Sequence, residues 1–97
     1  MAQNPETPKF LKELEKIKGK TLSYEEFERF LDSLMELGFF ASNGAENEIS
    51  NYIGYKAWRN ILEYSNDYAD RIIIEYIKEY INGEIRIHIK DIEYIKA

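Results

Sequence analysis

The chain contains no cysteine, only one histidine and only two prolines. Without cysteine it cannot form structural disulfides, thiolate zinc sites or iron–sulfur clusters, and it has no cysteine nucleophile. The single histidine, His88, also excludes a metal site built from several histidines. We therefore expect neither a metal ion nor a cofactor.

Valine is absent too, and no hydrophobic run is long enough to cross a membrane. A membrane span needs about 20 apolar residues, whereas the longest isoleucine run covers only residues 72–74. We find no targeting signal and expect a cytoplasmic protein, in the host cytoplasm if the protein is viral. Isoleucine and valine are nearly equivalent side chains, so the missing valine indicates an AT-rich coding sequence. Phages, archaeal viruses, plasmids and low-GC hosts fit this composition, and so does a hyperthermophile rich in lysine, glutamate, isoleucine and tyrosine.

What the chain does contain is acidic charge on a small scaffold. It has 97 residues, a mass of 11.5 kDa, and 18 acidic against 13 basic side chains, for a formal charge of -5. This length allows one domain, and the overall field repels nucleic acid and anionic lipid. We expect residues 1–7 to be frayed and residues 8–97 to form a single compact domain.

Two helices are predicted in the first 40 residues. Thr7 and Pro8 form a helix start, and apolar residues at helical spacing continue it over residues 8–18. Ser23 and Glu26 then make a capping box before a second helix over residues 24–37, which ends at Gly38.

The apolar pattern of residues 45–65 predicts two further short helices. Its apolar face changes direction at Gly54, which is a residue at which a helix tolerates a kink. We therefore predict helices over residues 46–53 and 55–65 that meet at an angle.

Residues 67–81 are compatible with two structures. Their apolar side chains fall on one helical arc, which favours an amphipathic helix that ends at Gly83. Asn82-Gly83 is also a strong hairpin signal, and a turn there would place Glu79 opposite Arg86 and Glu75 opposite Lys90. We favour the helix. Residues 84–90 alternate and predict a strand in either case.

Together these elements predict an α+β fold with four or five short helices packed in one layer and a small C-terminal β element, either a strand or a hairpin. The strand needs a partner, for which residues 20–22, residues 39–41, a fold-back of residues 92–96 and the same strand of a second subunit are the alternatives.

Acidic residues on the second helix suggest a function. They lie three or four positions apart, so they form a column with charges about 5–6 Å apart, which is comparable with the phosphate spacing of a nucleic-acid strand. The column consists of Glu25, Glu28, Asp32 and Glu36. Such a face could occupy a basic groove of a partner protein, although a solvated helix surface would have the same pattern. We expect a virus-, phage- or mobile-element-encoded inhibitor of the anti-defence or nucleic-acid-mimic type.

A second group combines aromatic and basic residues, the types that are enriched in binding hot spots. Tyr55, Lys56 and Arg59 are its candidate partner-binding residues. The alternative function is a small DNA-binding transcriptional regulator with a helical reader and a β wing. Its nucleic-acid contacts would be Lys56, Arg59, Asn60, Arg86 and Lys90.

We predict that the protein is not an enzyme. His88 has no recognisable catalytic motif around it, and no phosphate-binding or nucleophile motif is present. The eight tyrosines are too many for a small core, so several should reach the surface and support binding of a protein partner or a homodimer. The homodimer would pair strands 84–90 across a two-fold axis.

Overall fold

The computed structural model describes residues 7–97, and it describes side chains from Leu11 onward. Residues 1–6, most of the segment predicted to be frayed, lie outside this range. The elements in chain order are α1 (Thr7–Ile17), β1 (Thr21–Ser23), α2 (Tyr24–Glu36), β2 (Phe40–Tyr52), β3 (Tyr55–Ser65), β4 (Arg71–Ile81) and β5 (Glu84–Ile95).

The five strands form one antiparallel sheet in the order β1-β5-β4-β3-β2. The predicted layer of four or five helices with a small C-terminal β element is therefore wrong. The predicted helices over residues 46–53, 55–65 and 67–81 are strands instead. Within residues 7–97 only α1 and α2 are α-helices, and both were predicted, with bounds that differ by one residue.

Tight turns explain why these segments pair as strands. Gly54 is not a helix kink but lies in the two-residue turn between β2 and β3, with a φ of +79° that suits glycine. Asn82 and Gly83 both have positive φ, as the hairpin alternative requires. Glu79 faces Arg86 as that alternative predicts. Glu75 faces Asp91 instead of Lys90, because the register shifts by one residue there.

Helix α2 connects the two edges of the sheet. Its start has the predicted capping box, with the Ser23 hydroxyl accepting from the Glu26 amide and the Glu26 carboxylate accepting from the Ser23 amide. Its 13 residues span about 20 Å, and four strand spacings of about 4.8 Å cover nearly the same distance. The helix can therefore lead from β1 on one edge to β2 on the other.

The hydrophobic core lies between the helices and one face of the sheet. Its fully buried side chains are Leu34, Ile72, Ile74, Ile87 and Ile89. Phe27 of α2 packs on Tyr76 of β4 with ring centroids 4.7 Å apart, and burial raises the pKa of Tyr76 to about 12. Neither α1 nor α2, the helices of the described residues 7–97, covers the opposite face. We call it the open face, and it consists of the outward-pointing residues of the sheet.

Within the described chain, β5 already has a neighbouring strand on each side at residues 86–88, in the segment for which we predicted pairing between two subunits. β4 pairs with β5 along its whole length, and β1 pairs with residues 86–88 on the other side. Of the proposed partners, the segment 20–22 comes closest to the observed one, since β1 is Thr21–Ser23.

Candidate functional site

The outer surface of α2 carries the predicted acidic column. Phe27 and Leu34 anchor the helix to the core, so its opposite side faces solvent. All four column residues are exposed on it: Glu25, Glu28, Asp32 and Glu36. Within residues 11–97, none of these four carboxylates belongs to an ion pair.

Helix α2 also holds most of the net charge of the protein. It has five carboxylates and one arginine, a net of -4, so the rest of the chain carries only the remaining -1 of the total -5. The fifth carboxylate, Glu26, has a structural task. Hydrogen bonds from the Ser23 backbone and then from its side chain lower the pKa of Glu26, so the capping residue stays ionised at neutral pH.

The aromatic and basic candidates do not form one surface. Tyr55 and Arg59 point to the open face, whereas Lys56 points to the face that carries the helices, because residues alternate along β3. Tyr55 donates to the Glu79 carboxylate (2.8 Å) and Arg59 pairs with Glu75 (2.7 Å). Their polar groups are thus used within the protein.

The candidates for nucleic-acid contact are dispersed as well. Asn60 is buried, with 5% of its surface exposed, and Arg86 lies near Glu84. Because residues 46–65 form β2 and β3, the helical reader of a DNA-binding regulator is absent from this part of the chain.

A chain of hydrogen bonds crosses four strands on the open face. Tyr55 on β3 donates to Glu79 on β4, Glu79 contacts Nε2 of His88 on β5, and Nδ1 of His88 lies 2.8 Å from the Thr21 hydroxyl on β1. One arrangement satisfies every group: the Thr21 hydroxyl donates to Nδ1, and protonated Nε2 donates to Glu79. The Tyr55 bond, followed by the bond to His88, lowers the pKa of Glu79.

The order hydroxyl, imidazole, carboxylate is that of an activated nucleophile with its base and orienting group. Acyl transfer further needs oxyanion donors and a cleft that holds the substrate. A depression of ≈ 160 Å³ on the open face lies near the other edge of the sheet, lined by Asn43, Gly44, Ala45, Ile61, Glu63 and Ile73. The bonds of His88 to Thr21 and to Glu79 tie β5 to β1 and to β4, which is a structural role.

Sequence reasoning missed this chain because its members come from four distant segments. Thr21 and His88 are 67 positions apart, and Glu79 meets His88 only through the hairpin that the sequence left as an alternative. The single available signal was the pairing of Glu79 with Arg86, which places Glu79 and His88 diagonally across the β4–β5 ladder.

The open face also carries apolar residues that a solvated sheet would not require. Six of the twelve outward positions of β3 and β4 are apolar, namely Tyr55, Ala57, Ile61, Ile73, Ile77 and Ile81. The charged residues at the other outward positions of these strands form two ion pairs, Arg59 with Glu75 and Arg71 with Glu63, and Glu79 contacts the imidazole of His88.

The described residues hold neither a metal-binding cluster nor a helix that could span a membrane. No group of three or more His, Asp or Glu side chains in residues 11–97 could hold a metal ion. Neither α1 nor α2, the helices of the described part, is long and apolar enough to cross a membrane.

The expectation that several tyrosines reach the surface is confirmed, since Tyr24, Tyr52, Tyr68 and Tyr80 are exposed.

Comparison of the chain with known protein families, with curated proteins and with solved structures finds no match.

Proposed function

We propose that this protein is a small cytoplasmic binding and inhibitor module that uses the acidic surface of α2 to occupy a basic groove of a partner protein. The groove would be one that the partner uses for nucleic acid, and the inhibition would be steric and electrostatic. No chemical step is involved.

The concentration of charge on α2 carries this proposal. A net of -4 on one helix, out of -5 for the whole chain, leaves the rest of the surface nearly neutral. Complementary charge on a partner accelerates association and selects the orientation of docking. The same charge repels the phosphates of nucleic acid, so the favoured ligand is a basic protein surface.

The rigidity of α2 is the second support. The helix is capped at Ser23 and anchored by Phe27 and Leu34, so its carboxylates are held at fixed positions along about 20 Å of helix. A preorganised surface loses little conformational entropy on binding. Three of the four column residues form no ion pair or hydrogen bond within residues 11–97, so binding of a partner breaks no such contact there. They are Glu25, Asp32 and Glu36.

The experiment uses immobilised protein and the DNA-binding fraction of a host lysate. We expect wild type to retain a protein that duplex DNA displaces, because both would occupy the same groove. A variant with Glu25→Gln, Glu28→Gln, Asp32→Asn and Glu36→Gln should bind this protein about tenfold more weakly or worse. Its binding should also depend less on salt.

A matched control neutralises four exposed carboxylates that lie outside α2, with Glu13→Gln, Glu15→Gln, Glu48→Gln and Asp67→Asn. It makes the same change in net charge and should bind like wild type. Equal weakening in both variants would show that only the total charge matters. Unchanged binding of the α2 variant, or direct binding of the wild type to duplex DNA at low salt, would contradict the proposal.

A further inference from the structure

The chain contains two Asn-Gly sequences, Asn43-Gly44 on β2 and Asn82-Gly83 in the turn between β4 and β5. In such a sequence the glycine nitrogen can attack the side-chain amide of the preceding asparagine, because glycine has no β-carbon to obstruct the approach. The rate of this attack depends on how the folded protein places the two groups relative to each other. The two Asn-Gly sequences differ in this placement.

The Gly44 nitrogen lies against the side chain of Asn43. Its N–H donates to Oδ1 of Asn43, with the nitrogen 2.8 Å from the oxygen. Since a C=O bond is about 1.23 Å long, the nitrogen is no more than about 4 Å from Cγ, the carbon that it must attack. A small rotation of the side chain brings this distance to the roughly 3–3.5 Å of a near-attack geometry. Both residues are exposed, so water and base reach them.

The backbone around Asn43 can also make the movement that ring closure requires. β2 is an edge strand that pairs only with β3, and its register with β3 shifts between Ala41 and Asn43. Such an irregularity locally disrupts the ladder of hydrogen bonds, so fewer bonds hold the backbone in place there.

The side chain of Asn82 is placed differently. The backbone N–H of Asn82 donates to the Gly54 carbonyl, and its Oδ1 packs on Gly54, 3.0 Å from the position that a β-carbon would take there. This side chain must leave its contact with Gly54 before the Gly83 nitrogen can attack it.

We propose that Asn43 is a site of spontaneous deamidation whose product loosens the pairing of β2 with β3. Base removes the proton from the Gly44 nitrogen, which attacks Cγ of Asn43 and closes a five-membered succinimide ring. The side-chain nitrogen takes up a proton and leaves as ammonia. Water then opens the ring at either carbonyl, which gives aspartate or isoaspartate at position 43. The net reaction consumes one water and releases one ammonia, and it does not depend on the proposed function.

Either product weakens the edge of the sheet. Asn43 lies directly opposite Glu63 on β3, so an aspartate at position 43 would place two carboxylates opposite each other, which destabilises a strand pair. Arg71 pairs with Glu63 and compensates only one of the two charges. Isoaspartate adds a carbon to the backbone of β2 and so changes the spacing on which the register with β3 depends.

The first test follows both asparagines by mass spectrometry of peptides, after incubation of the folded protein at mildly alkaline pH. Fragmentation by electron transfer distinguishes aspartate from isoaspartate. We expect deamidation to be at least about tenfold faster at Asn43 than at Asn82. In urea the two rates should become similar, because the geometry of the folded chain is then absent. A rate at Asn43 that is equal to or below the rate at Asn82 in the folded protein would overturn the proposal.

A second test uses variants that carry the charge of the product from the start. Asn43→Asp should raise the amide hydrogen-exchange rates of β2 by about two- to fivefold. Asn47→Asp is the matched control, since it adds the same charge to the same strand but opposite Arg59, and its exchange rates should not rise. Equal exchange rates in these two variants would overturn the loosening of β2.

Asn43→Gln provides the control for the chemistry. Glutamine keeps the side-chain amide, but the attack would have to close a six-membered ring, so position 43 should stay unmodified under conditions that deamidate wild type. The exchange rates of β2 in this variant should equal those of freshly prepared wild type, and they should stay constant during the incubation. Wild-type rates that also stay constant while position 43 is converted would overturn the proposal.

Discussion

Glu79 is the residue on which the open-face hydrogen-bond chain depends. It is one of the two central members: it accepts from Tyr55 and contacts His88, and His88 in turn contacts Thr21. Its carboxylate therefore joins three strands directly and a fourth through the imidazole. The bond from Tyr55, the largest contribution, lowers the pKa of Glu79, and partial burial opposes this effect.

The lowered pKa predicts how stability changes in acid. A carboxyl group with a lower pKa in the folded state stabilises the fold above its unfolded pKa, and this contribution is lost as the pH falls through the folded pKa. For Glu79 the loss should therefore occur below the ordinary value of 4.5. Urea unfolding between pH 7 and pH 3 should show a smaller acid loss for Glu79→Gln than for wild type.

Tyr55→Phe is the matched variant for this experiment. It removes the donor that lowers the pKa of Glu79 most and leaves the aromatic ring in place. The folded pKa of Glu79 then lies closer to its unfolded value, so the acid loss that is due to Glu79 should be smaller than in wild type and should be complete at a higher pH. An identical pH dependence in all three proteins would show that the hydrogen-bond chain contributes nothing to stability.

Helix α2 shows what local sequence can establish about an element. Its start was predictable because the capping box uses only neighbouring residues, Ser23 and Glu26, and both side-chain bonds are present. Its acidic face was predictable because helical spacing alone determines which residues share a side. The exposed column therefore followed from the sequence, although whether it binds a partner did not.

Ser23→Ala tests the capping box. It removes the acceptor for the Glu26 amide, and we expect the free energy of unfolding to fall by about 1 kcal/mol. Thermal or urea unfolding measures this change. Ser33→Ala is the control, since the Ser33 hydroxyl donates only to the Phe30 carbonyl within the same helix, and alanine has the higher helix propensity. A loss at Ser33 as large as that at Ser23 would contradict the assignment of the cap.

Strand β4 shows where local sequence misleads. A strand with one buried face alternates apolar and polar residues, but β4 is apolar on both faces. Ile72, Ile74 and Tyr76 enter the core, while Ile73 and Ile77 lie on the open face. These positions also fit a helical arc. The pattern that made β4 resemble an amphipathic helix is thus a consequence of its apolar residues on the open face.

Strand β2 was missed for the opposite reason. None of its residues is buried, and it is rich in asparagine, serine and glutamate, which are residues of low strand propensity. Its strand structure comes from pairing with β3 and from the turn at Gly54. The apolar pattern within the segment does not predict that pairing.

At the scale of the whole molecule, the protein has two surfaces of different character on opposite sides of one sheet. The helix side carries the charge of α2, and the open face carries paired ions and isoleucine.

The same layout predicts an order of local stability. β4 lies in the middle of the sheet with its side chains in the core, whereas β2 is an edge strand that pairs only with β3. Amide hydrogen exchange measured by NMR should therefore be at least about tenfold slower for the protected amides of β4 than for those β2 amides that bond to β3. Equal exchange rates in the two strands would contradict this order and would indicate that another chain segment or molecule covers β2 in solution.

The pairing of β1 with β5 also has a consequence for the route by which the chain folds. Strands β2 to β5 are joined by short turns and can pair while their ends are close. β1 must instead pair with a strand that is distant in sequence, since Thr21 and His88 are 67 positions apart. Closing so large a loop is slow and is rewarded only after the partner strand is in place. Because α2 follows β1 directly, we expect the acidic helix to reach its final position late, so that the surface proposed to bind a partner is completed only when the rest of the sheet exists.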